Sequence, residues 1–89
     1  MANFAIDYDL RKSGQDYDKL IEAIKSLGAW AHVMKSSWIV ESWMTAAQIR
    51  DHLVRFIDNN DRLIVSKLAG DIAWSNLDTD VSNWLKKVA

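Results

Sequence analysis

Alternation opens the chain. From Asn3 to Asp9, Phe4, Ile6 and Tyr8 fall on one side and Ala5, Asp7 and Asp9 on the other, which predicts a half-buried strand. Arg11 to Gln15 is polar and carries Ser13 and Gly14, the composition of a loop. The period then changes. Tyr17, Leu20, Ile21, Ile24 and Leu27 hold the spacing of a helical stripe, with Asp16 as the expected N-cap and Gly28 as the expected left-handed residue past the end. Ala29–Met34 and Ser37–Trp43 are rich in aromatic and β-branched residues around Lys35-Ser36, a hairpin pattern.

The next helix start is explicit. Thr45 and Gln48 have capping-box spacing, and Met44 with Ile49 suits a hydrophobic staple. The stripe runs on through Leu53, Phe56 and Ile57 until Asp58, Asn59 and Asn60, residues that tolerate left-handed backbone. Arg62 to Leu68 alternates again, and Gly70 breaks the pattern. Asp71 to Leu77 reads weakly, at most as a turn of helix. Asp78 or Thr79 then caps a last helix with Val81, Trp84, Leu85 and Val88 inward and Lys86 and Lys87 near its C-terminus.

The order is β-α-β-β-α-β with a C-terminal helical addition. It predicts an α+β, ferredoxin-like fold over residues 1–89 as one domain: a four-stranded antiparallel sheet with two helices on one face. Strands one and three take the centre. The helices should cover Phe4, Ile6, Tyr8, Trp38, Val40, Leu63 and Val65, leaving a second face of mixed character that includes Ala5, Asp7, Asp9, Ile39, Glu41, Ile64 and Ser66. Either the Trp-bearing tail or a second copy of the chain should cover it, and a two-fold homodimer is the expected assembly.

Composition narrows the functional classes. Apolar residues make 49% of the chain and charged residues 26%, so disorder and low complexity are excluded. No apolar run approaches the roughly 20 residues of a membrane span, and no secretory signal is visible, so no membrane partner is expected and the cytoplasm is the expected compartment. Cysteine is absent, which removes disulfides, thiolate zinc sites and a cysteine nucleophile. Eleven basic residues against twelve acidic give a net charge of −1, which does not support a nucleic-acid partner; Lys12, Lys35, Lys86 and Lys87 make only modest patches. Five tryptophans are read as core or interface rather than base-stacking platforms.

One constellation carries chemistry. The predicted topology sets the end of the first strand beside the starts of the third and fourth, gathering Asp9, Ser36, Ser37, Asp61 and Arg62, with Arg11 on the following loop. Asp7 and Asp9 share a face and could hold Mg²⁺ or Mn²⁺; Arg11 and Arg62 would bind phosphate oxygens, and Ser36 and Ser37 would contact substrate. The bland reading of these residues is turn formation and surface pairing. His32 reads as a half-buried strand residue and His52 as a solvated helix residue.

Two resemblances attach to these positions. Ala5-Ile6-Asp7-Tyr8-Asp9-Leu10 resembles the first strand of the small CRISPR-associated Cas-two family, and Ser36-Ser37-Trp38-Ile39-Val40-Glu41 resembles its third. Tyr8-Asp9-Leu10, Gly14 to Tyr17, Ile24 to Gly28, Ser36 to Val40 and Asn60-Asp61-Arg62-Leu63 are together similar to stand-alone bacterial proteins labelled SinR-like, over nearly the whole chain. The resemblance implies a ferredoxin-like homodimer with Asp9 as divalent-metal ligand for phosphodiester cleavage of RNA or DNA; other members of the Cas-two family act as non-cleaving scaffolds for DNA integration. The chain departs from that family in lacking a strongly basic composition and in ending on a Trp-bearing helix instead of an exchanging strand. Metal-dependent endonuclease, non-enzymatic dimeric binding module and toxin–antitoxin component are the three resulting expectations.

Overall fold

The structure is a computed structural model that describes residues 1–11 and 17–88. Four strands, β1 (Ala2–Asp9), β2 (Trp30–Met34), β3 (Ser37–Ser42) and β4 (Arg62–Leu68), form one antiparallel sheet in the order β2-β3-β1-β4. Three helices, α1 (Asp18–Lys25), α2 (Ala46–Leu53) and α3 (Thr79–Val88), complete it, and a 3₁₀ turn at Val54–Phe56 prolongs α2. This is the ferredoxin-like arrangement expected, with β1 and β3 central. Among the described residues no helix is long and apolar enough to cross a membrane.

Register explains the burial. Ile6 lies opposite Trp38 and Val65, and Phe4 opposite Val40, so the even positions of β1 share a face with those residues. Against that face α1 contributes Leu20, Ala23 and Ile24, and α2 contributes Ile49 and Leu53, in one continuous core with Phe4, Ile6, Trp38 and Val40. Leu20, Ile24, Ile49 and Leu53 are fully buried. Within this core the Trp38 indole N–H donates to the Tyr8 hydroxyl at 3.0 Å, which satisfies a polar atom that burial would otherwise leave without a partner.

Local chemistry sets the element ends. The Thr45–Gln48 capping box forms in both directions: Gln48 N–H donates to Thr45 Oγ1 at 3.1 Å, and Thr45 N–H to Gln48 Oε1 at 2.9 Å. Met44 and Ile49 both join the core, as the staple requires. The N-cap position of α1 is Tyr17, without a side-chain cap; Asp16 lies outside the described residues. Gly28 follows α1 with φ of +153°, and a Cβ there would run into the Glu41 carbonyl oxygen, so close backbone approach demands glycine as β2 begins.

Three local expectations are corrected. Asp71–Leu77 forms no helical turn and passes as irregular chain, with Asn76 at φ of 64°. β3 stops at Ser42, and Trp43 projects beyond it, 83% exposed, because the chain turns toward the Thr45 cap. His32 is exposed rather than half-buried, yet its ring stacks on Trp38 with centroids 4.0 Å apart.

The tail covers part of the second face. α3 packs against β2, Leu85 is fully buried, and on the sheet Ala31 and Ile39, which pair across β2 and β3, are also buried. The last turn of α3 reaches β1, where Asn3 Nδ2 donates to the Val88 carbonyl at 3.3 Å. Trp74 pins the approach to α3 by donating its indole N–H to Ser82 Oγ at 2.9 Å. The β1–β4 half of the face stays open, with Ile64 60% exposed.

Candidate functional site at the end of strand β1

The register brings the expected segments together. Asp9 lies opposite Arg62, Asp7 lies between Ser37 and Ile64, and the Tyr8 N–H donates to the Ser36 carbonyl at 3.1 Å. Directly paired residues of an antiparallel sheet point to the same side. Asp7, Asp9, Ser37, Arg62 and Ile64 therefore share the second face. Asp7, Asp9, Arg62 and Ile64 line a shallow hollow of about 290 Å³ there.

Each carboxylate already has work within the chain. Asp7 Oδ1 accepts from Ser37 Oγ at 2.5 Å, a short hydrogen bond of the charge-assisted kind. Asp9 Oδ2 accepts from the Arg11 guanidinium at 3.4 Å, and both side chains are open to solvent, so the pair contributes at most about 1 kcal/mol. Arg62 makes no side-chain hydrogen bond or ion pair among the described residues. Ser36 enters the site through its backbone.

Asp61 is the best-connected acid, and its work is structural. Oδ1 accepts from the Arg11 backbone N–H at 2.8 Å, Oδ2 from the Asp58 N–H at 2.8 Å, and the Tyr17 hydroxyl donates to both oxygens at 3.1 and 3.3 Å. One carboxylate thus ties the end of β1, the entry to α1 and the turn before β4. The backbone bond from Arg11 is the leading cause that holds its pKa below the ordinary carboxylate value, with smaller help from Asp58 and Tyr17 against desolvation. Sequence grouped Asp61 with the strand-end residues, but its backbone partners leave no spacing signature to read.

For Mg²⁺ or Mn²⁺ the donor set is thin. Among the described residues no three His, Cys, Asp or Glu side chains gather where an ion could sit. Asp7 and Asp9 offer one unengaged oxygen each, while Asp61 faces its own backbone donors. Hard divalent ions often take one or two carboxylates and fill the remaining positions with water or phosphate. Asp7 and Asp9 could meet that minimum and no more.

No protein-family model matches the chain. Its fold is similar to that in the crystal structure of a hypothetical protein from Thermus thermophilus, with a TM-score of 0.66, 22% sequence identity, and coverage of 84% of this chain and 90% of that one. The likeness extends over most of both molecules, and at this identity it establishes the ferredoxin-like architecture alone.

Proposed function

We propose that this chain is a non-enzymatic binding module that self-associates through the open half of its second sheet face. The observation that carries the reading is Ile64, 60% exposed on a seven-residue edge strand and flanked by Asp7, Asp9 and Arg62. A two-fold interface sets residue i against j and j against i. A surface with acids and arginines around one apolar residue is self-complementary under that operation: Asp9 of one copy meets Arg62 of the other, twice. The unpaired edge of β4 adds backbone donors and acceptors at the rim. Sedimentation equilibrium should report about 20 kDa, twice the 10.2 kDa chain, and Ile64→Asp should return the monomer mass without loss of the circular dichroism spectrum. A 10 kDa species for the unaltered chain at about 100 μM would overturn the proposal.

A second reading, divalent-metal-dependent phosphodiester cleavage of the Cas-two type, is favoured by the placement of Asp7 and Asp9 on one face with Arg62 across from Asp9. Asp9 and Asp7 would hold Mg²⁺ or Mn²⁺, which supplies Lewis-acid stabilisation when bound, and Arg11 and Arg62 would grip phosphate oxygens. Under this reading, purified protein with Mn²⁺ cuts single-stranded RNA or duplex DNA, and Asp9→Asn abolishes cutting with an unchanged melting curve. Absence of cleavage, or cleavage that survives Asp9→Asn, leaves the binding module standing alone.

A further inference from the structure

The core and the strand-end cluster leave one pole of the sheet without a role. β1 begins at this pole and β3 and β4 end there, with Ala2 opposite Ser42 and Asn3 opposite Leu68. Trp43 projects from it, 83% exposed, near Met1 at 63%. Two hollows of about 500 and 360 Å³ flank the indole, walled by Phe4, Met44 and Ala46 on one side and by Leu27 and Met44 on the other. No carboxylate lines either hollow, and Lys67 borders the larger. The topology brings further lysines to the same end. Lys25 sits in the last turn of α1, just ahead of β2, and Lys86 and Lys87 sit in the last turn of α3, whose Val88 carbonyl meets Asn3. The acids nearby are Glu22, a turn deeper in α1, Glu41, half-buried in β3, and Asp71, just past β4. Asp7, Asp9, Asp58 and Asp61 gather at the opposite pole. A chain of net charge −1 is thus polarised along its strands, with its most exposed tryptophan at the lysine-bearing end.

We propose that this pole docks on anionic lipid bilayers, with Trp43 as the interfacial anchor and Lys67, Lys86 and Lys87 on the headgroups. Tryptophan favours the boundary between headgroups and acyl chains, where its ring is buried and its N–H stays wet. Lysines beside it meet the negative surface potential of the leaflet, and their stems lie along apolar surface while the ammonium groups reach outward. A single exposed indole between apolar hollows suits a lipid surface better than a polynucleotide, which asks for a run of stacking platforms along a basic groove. The contact is peripheral, since no helix among the described residues is long and apolar enough to cross a membrane. Composition alone argued against a membrane partner because it sums charges that the fold separates. The surface uses none of the β4 strip and stands or falls separately from self-association.

The test is co-sedimentation of the full chain with vesicles of phosphatidylcholine containing about a quarter phosphatidylglycerol, against vesicles of phosphatidylcholine alone. Binding to the anionic vesicles should be at least about tenfold tighter and should weaken as salt screens the lysines. Trp43→Ser should cost at least about tenfold at low and high salt alike, with an unchanged circular dichroism spectrum because the side chain is exposed. Lys86→Gln with Lys87→Gln should weaken binding at low salt and make little difference at high salt. Equal binding to both kinds of vesicle, no binding to either, or full binding by Trp43→Ser would overturn the proposal. So would retention of single-stranded RNA without vesicle binding, or a fall in sedimenting mass on Trp43→Ser, since the occupant would then be a polynucleotide or a second copy of the chain.

Discussion

Single side chains decide where the molecule is fragile. Leu53 is fully buried between α2 and the sheet, so Leu53→Ala removes apolar contact and leaves a void; urea denaturation should show a loss of about 2–5 kcal/mol. Asp61 acts through charge. Its carboxylate is held ionised by the Arg11 and Asp58 backbone donors and the Tyr17 hydroxyl, so its folded pKa lies below its unfolded one. The stabilisation it supplies is therefore complete above the unfolded value near 4 and fades as pH falls through the lower folded value. Thermal melts between about pH 6 and 2 should show a decline that Asp61→Asn flattens at the acid end. Equal pH slopes in both proteins would mean that the Asp61 hydrogen bonds add nothing to stability.

Turns and caps control how elements join. Gly28→Ala would press a methyl group against the Glu41 carbonyl where β2 begins; the expected cost, above about 1 kcal/mol, should appear as a lowered urea midpoint. The strands were legible because alternation is a direct record of two faces: Phe4, Ile6 and Tyr8 had to point together, and the register with Trp38, Val40 and Val65 bears this out. The Thr45–Gln48 cap was legible for the same reason, its signal lying in four consecutive residues. Less local features were not. The stripe of Val81, Trp84, Leu85 and Val88 announces that α3 buries a side, but nothing in it names β2 and β1 as the surfaces it meets. Trp43 looks like strand by composition and ends as the most exposed of the large apolar residues, because the cap at Thr45 bends the chain away.

At the scale of the whole molecule, the sheet has two unlike faces and two free edges. One face carries the main core; the other is shared between α3 and an open strip along β4. The strand-end cluster was readable from topology alone, since any βαββαβ chain sets the first strand's end beside the third and fourth strands' starts. What the cluster does was not readable, because the roles of Asp7, Asp9 and Asp61 depend on donors that come from Ser37, the Arg11 side chain and two backbone amides. The proposed dimer belongs at this scale too. Should Ile64→Asp leave a 20 kDa assembly intact, the contact must lie elsewhere, and the protruding Trp43 becomes the next substitution to make.

The position of α3 outside the strand ladders has a consequence for local opening. All four strands and both core helices precede it, and none of their pairings needs it. Detachment of α3 alone would therefore leave the sheet's ladders intact while baring Ala31 and Ile39 to solvent.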